Sequence, residues 1–147
     1  MFRWVLVISF VACIALTRTV FAYDCMPPSV EDSYSSYSDY IFSAKVLTSG
    51  EPKGKDFNAK TKYVVEIIDV YKGDLKGEAV VFRETYWGDI FRVGEEYLVF
   101  ADLDGNDIIV PVCSRTTFLQ HDFTEKYIET LKSIVGKKVE KGLSNEP

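Results

Sequence analysis

The chain has 147 residues, of which 47% are hydrophobic and 14% aromatic, a composition typical of one globular domain with a core of its own. Acidic side chains outnumber basic ones by 22 to 17, which gives a formal net charge of −5. Because nucleic-acid binding relies on basic side chains against the phosphates, this charge argues against a nucleic-acid partner.

Residues 1–22 are predicted to be a signal peptide. Arg3 supplies a basic start, residues 4–16 form an apolar run too short for a comfortable membrane span, and Ala22 precedes the expected cleavage site. An alternative is lipid anchoring through Cys13, but Phe10 fits poorly at the first position of a lipobox. We therefore expect a secreted, extracellular chain of 125 residues with a net charge of −7 and no membrane span.

Two cysteines, Cys25 and Cys113, remain after the leader is removed. In an oxidising compartment an even pair predicts one disulfide, here with 87 residues between its ends. The alternative is a zinc site that adds His121, but this set lacks a fourth ligand nearby.

Five segments are predicted to be β-strands, because they are rich in β-branched and aromatic residues and end at turn residues. They are residues 40–47, 62–73, 78–85, 95–103 and 107–113. The first alternates in the manner of a half-buried strand. Before it, residues 29–39 form either a short helix capped by Ser29 or a loop, and after it residues 48–61 are predicted to be a long exposed loop.

The stretch Asp104-Gly105-Asn106 predicts a hairpin between the last two strands. Together with Asp102 and Asp107 it also suggests a calcium loop, but Gly105 comes too early for an EF-hand and the bidentate Glu is absent. We therefore predict a turn here and no metal ion or cofactor bound by the chain itself.

A final helix is predicted to start at Asp122, because Glu125 follows three residues later as in a capping box. Apolar residues at helical spacing predict one core-facing side. These residues are Phe123, Tyr127, Ile128, Leu131, Ile134 and Val135. The expected organisation is a signal peptide at 1–22, one domain at 23–136 and a flexible polar tail at 137–147.

Five strands, a long first loop and a terminal helix predict a small closed or nearly closed barrel. The order of several short motifs then resembles the netrin-like domain of the tissue inhibitors of metalloproteinases. The pattern is CMPPS…SDYIFSAKV…YVVEIIDVYKG…VGEEYLVFADLDGNDIIVPVCSRT, and it covers residues 23–118. The resemblance implies a mainly β fold, a five-stranded Greek-key OB-fold barrel, here with a C-terminal helix.

In that family the mature protein begins Cys-x-Cys, and the first cysteine offers its α-amine and carbonyl to the catalytic zinc of the protease. The resemblance places Cys25 at the second of these cysteines and Cys113 at its disulfide partner. Tyr23 stands where the zinc-binding cysteine would be, and that cysteine's own partner would lie near Trp87. Both cysteines of the first bridge are therefore missing together.

Our first hypothesis is a secreted, monomeric inhibitor of a zinc metalloproteinase. Its target contacts would be Tyr23, Asp24, Cys25, Met26 and Pro27. The alternative for the same stretch is a purely structural role, in which the cysteine and the two prolines only attach the N-terminus to the barrel.

The second hypothesis is a secreted OB-fold binding module for an extracellular protein or glycan, without inhibitory activity. Its candidate binding loop carries Lys53, Lys55, Lys60 and Lys62, although a run of charges is usually a solvated face. Catalysis is not expected, because the single histidine, His121, has no catalytic or metal motif around it.

Overall fold

The computed structural model describes residues 25–52, 60–84 and 91–143. An N-terminal turn of helix precedes a six-stranded sheet, and a long helix ends the chain. The elements are α1 (Val30–Asp32), a π-helical turn (Ser33–Tyr37), β1 (Tyr40–Ser49), β2 (Lys60–Lys72), β3 (Glu78–Glu84), β4 (Glu96–Asp104), β5 (Asp107–Val110), β6 (Thr117–Phe118) and α2 (Asp122–Leu143). Within the described ranges, no helix is both long and apolar enough to cross a membrane.

Five strands close into a barrel in the order β1-β2-β3-β5-β4, and pairing of β1 with β4 joins the two ends. Every pair is antiparallel except β3 with β5, which is parallel. This Greek-key connectivity confirms the predicted OB-fold barrel. The two-residue β6, which was not predicted, pairs with β4 outside the closed ring.

Alternate residues of the strands fill the barrel, because side chains on a strand point to opposite faces. The buried interior consists of Phe42, Ala44, Val46, Tyr63, Val65, Val81, Phe91, Tyr97, Val99, Ala101 and Val110. The ring of Phe91, from the approach to β4, packs edge-on against Tyr63 and Tyr97 with centroid distances of 5.0 and 4.7 Å. The centre of the barrel is thus filled by side chains.

The outer face of β1 and β4 is also buried, so the prediction that β1 is half-buried is wrong. Ile41 on β1 lies opposite Phe100 on β4, and both pack beneath the helices against Leu131. Ser43 also faces outward but is buried, and its hydroxyl accepts from the backbone N–H of Asp69 at 3.1 Å. The alternation predicted that the outer face of β1 would be exposed to solvent. The helices cover this face and form a second core with it.

The N-terminal turn resolves the choice between helix and loop in favour of helix. Ser29 caps it, because its hydroxyl oxygen accepts from the N–H of Asp32 at 3.0 Å. The turn then widens, and the N–H of Ser38 reaches back to the carbonyl of Ser33 at 2.9 Å. The ammonium group of Lys72, at the end of β2, donates to the carbonyls of Tyr34 and Ser38 and ties this turn to the barrel.

Helix α2 starts at Asp122 as predicted, and Leu131 in its middle is completely buried. Tyr127, Ile128, Ile134 and Val135 are partly buried beside it. Phe123 is the exception, since 47% of it is exposed and its ring contacts His121 and Tyr127 instead of the core. The helix continues to Leu143, through residues that the sequence placed in a polar tail.

We expect Gly73→Ala to lower the free energy of unfolding by about 2–4 kcal/mol. Gly73 has a φ of +89°, and an added Cβ would lie 2.3 Å from Cδ1 of the Tyr40 ring. Gly77→Ala is the matched control, because Gly77 also has a positive φ, +65°, but its Cβ would meet no atom within 4 Å. Urea denaturation of both variants checks this, and equal losses would contradict the proposed clash.

Candidate functional site

Cys25 and Cys113 form a disulfide, as both the cysteine count and the resemblance predicted. Their Cα atoms lie 5.4 Å apart across a sequence separation of 88 residues. Cys113 follows the end of β5, so the bridge fastens the start of the described chain to the last strand of the barrel. Both sulfurs are used in this bond, and the zinc site with His121 is therefore wrong.

The stretch Cys25–Ser29, hereafter the N-terminal segment, runs over the surface and belongs to no helix or strand. Cys25, Met26 and Pro27 are exposed, Met26 by 79%, and the chain enters the core only at Val30. Three of the five predicted target contacts thus lie together on an accessible edge. The other two, Tyr23 and Asp24, lie outside the described residues, as do Trp87 and Cys13.

Arg115 holds the N-terminal segment and was not predicted as a site residue. Its Nε donates to the carbonyl of Pro28 and its Nη2 to the carbonyl of Pro27 at 3.3 Å. Its Nη1 donates to the hydroxyl of Tyr127 on α2 at 2.8 Å, and the guanidinium lies 5.2 Å from the centroid of that ring. The sequence offered one signal for this role. Arg115 lies two residues after Cys113, and the disulfide holds Cys113 next to the N-terminal segment.

The loop that carries Arg115 is itself fixed to the barrel. The hydroxyl of Thr116 accepts from the N–H of Phe100 on β4 at 3.0 Å and donates to the carbonyl of the same residue at 3.3 Å. Ser114 donates its hydroxyl to that of Thr116 at 2.9 Å, and its N–H bonds to the carbonyl of Pro111 at 3.1 Å. Arg115 therefore projects from a rigid base.

A cleft of about 220 Å³ lies beside the segment. Its lining includes Pro28, Tyr37, Asp102 and Arg115, and 64% of Tyr37 is exposed. Burial raises the pKa of Asp102, the negative charge of Asp39 raises it further, and Lys72 partly offsets both. A carboxyl group with a raised pKa in the folded state stabilises the fold less as the pH rises through that pKa.

The lysines of the second hypothesis are only partly described. Lys60 pairs with Asp104, with 3.6 Å between Nζ and Oδ2, and Lys62 is exposed. Lys53 and Lys55 lie outside the described residues. Asp104 sits at the hairpin predicted around Gly105, which has a φ of +62°. An exposed acid thus lies against one of the four lysines.

His121 stacks on Phe123, with 5.1 Å between the ring centroids, and its ring lies edge-on to Phe118 at 5.5 Å. It lines a second cleft, of about 540 Å³, between the end of β6 and α2. In the part of the chain that the structure describes, no group of three or more His, Cys, Asp or Glu side chains is placed to hold a metal ion.

No protein-family model matches the chain. A search of curated proteins also returns no match.

Proposed function

We propose that this protein is a secreted inhibitor of zinc metalloproteinases, similar in mode to the tissue inhibitors. The observation that carries the proposal is the disulfide between Cys25 and Cys113, which fixes an exposed N-terminal segment to the end of a closed OB-fold barrel. A rigid barrel that presents a short, exposed segment fixed at Cys25 is suited to entering an enzyme's active-site cleft, because that part of the chain needs little further ordering on binding.

Cleavage after Ala22 would leave two residues, Tyr23 and Asp24, ahead of the disulfide. Two extended residues reach at most about 7 Å, which keeps the tip short and close to its anchor. The α-amine and carbonyl of Tyr23 would bind the zinc of the protease and displace the water that it activates. An α-amine has an ordinary pKa of about 7.7–8.0, so a useful fraction is neutral and able to bind metal near pH 7.

Metal binding of this kind uses backbone atoms, so the first residue need not be a cysteine. Without the family's first disulfide, each residue of the tip loses conformational freedom on binding, at about 1–2 kcal/mol per residue fixed. Exposed Met26 and Pro27 would add contacts beside the metal. We therefore expect weaker inhibition than a tip anchored by two disulfides would give.

The test is inhibition by protein secreted from the full 147-residue precursor, after N-terminal sequencing has confirmed Tyr23 as the first residue. Against a panel of zinc endopeptidases we expect reversible active-site inhibition of at least one enzyme. A variant with one additional alanine before Tyr23 should lose it, because the α-amine then lies one residue away from the metal.

The added alanine leaves the disulfide and the barrel unchanged, so equal thermal unfolding of the two proteins serves as the folding control. Equal inhibition by both would contradict a mechanism through the terminal amine. If no enzyme of the panel is inhibited, the inhibitor proposal is wrong and the binding-module hypothesis takes its place. Salt-sensitive binding to a polyanion would then support that second hypothesis, provided that it is lost when the four lysines Lys53, Lys55, Lys60 and Lys62 are neutralised.

A further inference from the structure

The N-terminal segment is held at both of its ends. Cys25 joins it to Cys113 at one end, and at the other end Ser29 caps α1 and the side chain of Val30 is buried. Residues 25–29 belong to no strand, so no ladder of strand hydrogen bonds formed by the segment itself fixes its direction between these ends. A further attachment is needed there to define the direction in which the segment leaves the barrel.

Arg115 supplies that further attachment in a geometry suited to holding direction. Pro27 and Pro28 have no N–H, so their carbonyls are the only backbone polar groups that these residues can offer. The guanidinium of Arg115 is a rigid planar fork, and it donates to both carbonyls at once. Two bonds from one plane to consecutive carbonyls restrain rotation of the segment as well as its position.

The plane of the guanidinium is in turn set by α2. The hydroxyl of Tyr127 accepts a hydrogen bond from a third nitrogen of the guanidinium, Nη1. The centroid of the Tyr127 ring lies 5.2 Å from Cζ of Arg115. Tyr127 is partly buried in the second core, against the cluster that contains Leu131. The direction of the segment is therefore set relative to α2 by a series of contacts. They lead from the two proline carbonyls to the guanidinium of Arg115 and on to the phenol of Tyr127.

We propose that Arg115 is a positioning residue that fixes the direction of the N-terminal segment and so presents it to the target enzyme. This inference rests on the proposed inhibitory function and goes further by naming the group that takes over the role of a second anchor. Arg115 does not itself reach the metal of the target. It acts through the two proline carbonyls.

Met26 reports the order of the segment directly. It is the only methionine after residue 1, so a protein secreted without its leader gives one methionine methyl signal in an NMR spectrum. We expect Arg115→Leu, which adds no second methionine, to increase the mobility of that methyl group and of the backbone N–H groups of Met26 and Ser29. Arg115→Lys should do the same, because an ammonium keeps the charge but lacks the planar fork.

Inhibition should weaken in step with this loss of order. For Arg115→Leu we expect the inhibition constant to rise by about 10–100-fold, which corresponds to about 1.4–2.8 kcal/mol. Tyr127→Phe, which keeps the ring and loses one hydrogen bond, should raise it by about two- to tenfold. Because this milder variant removes a single oxygen, it keeps the test valid if Arg115→Leu folds poorly.

Arg92→Leu is the matched control. Arg92 also places its guanidinium near an aromatic ring, 6.0 Å from the centroid of Phe118, but has no bond to the N-terminal segment among the described contacts. Its replacement should leave Met26 as ordered as in the parent protein. This separates the effect of the fork from the loss of one positive charge.

Two results would overturn the inference. One is a segment that stays ordered in Arg115→Leu. The other is a segment that becomes mobile while inhibition by the variant equals that of the parent. A parent protein that inhibits no enzyme would instead sink the inhibitor proposal, and the NMR measurement would still decide whether Arg115 orients the segment. The two failures are therefore distinguishable.

Discussion

Replacing Cys25 and Cys113 together by alanine is expected to lower the free energy of unfolding by about 4–5 kcal/mol. The bridge closes a loop that spans most of the described chain, with a sequence separation of 88 residues. In the chain-entropy account the stabilisation grows with the logarithm of loop length, so this single bond is close to the upper end of what one disulfide contributes. Domains of this size are typically stable by only about 5–15 kcal/mol.

Guanidinium denaturation of the double variant and of the parent, with and without reductant, measures this loss. Reduced parent and double variant should unfold at similar concentrations. Met26→Ala is the control within the segment, because its exposed side chain should change stability by no more than about 0.5 kcal/mol. A loss below about 1 kcal/mol in the double variant would contradict the chain-entropy account for this protein.

The same variant separates the two anchors of the N-terminal segment. Without the disulfide, Arg115 still donates to the carbonyls of Pro27 and Pro28, but nothing covalent opposes departure of the chain. For the inhibitor proposed above, we therefore expect the double variant to lose inhibition more completely than Arg115→Leu. The disulfide would then set whether the segment stays at the barrel, and Arg115 the direction in which it points.

The barrel was predictable because each strand carries its own signal. Period-two patterns and turn residues are local, and so is the Gly105 hairpin between β4 and β5. The cysteine pair was predictable for a different reason, since two thiols in an oxidising compartment leave only one bridge to make. These inferences need no knowledge of which surfaces meet.

What the sequence could not supply depends on contacts between distant elements. β1 was predicted to be half-buried because Ser43 and Lys45 alternate with apolar residues, yet the helices cover its outer face. Arg115 reads as an ordinary polar loop residue until the disulfide and α2 bring the prolines and Tyr127 around it. Such roles are decided by tertiary geometry, and no local pattern carries them.

Phe123 and Leu131 also show, within one helix, that a local pattern does not decide which side chains are buried. Replacing these two residues gives the second large expected effect. Helical spacing put both on the core-facing side, but Leu131 is completely buried whereas 47% of Phe123 is exposed. We expect Leu131→Ala to lower the free energy of unfolding by about 2–5 kcal/mol, because it opens a cavity beneath Ile41, Leu98 and Phe100. Phe123→Ala should cost about 1 kcal/mol or less, although it removes a larger side chain.

Leu131→Ala should also increase the mobility of the N-terminal segment. Leu131 holds α2 on the barrel, and Tyr127, one turn earlier on α2, orients the guanidinium of Arg115. A loosened helix would therefore increase the mobility of the Met26 methyl group even under conditions where the protein remains folded. Ser133→Ala, at an exposed position two residues after Leu131, should leave that methyl unchanged. If both variants mobilised Met26 equally, coupling through the buried core would be excluded, because only Leu131 belongs to it.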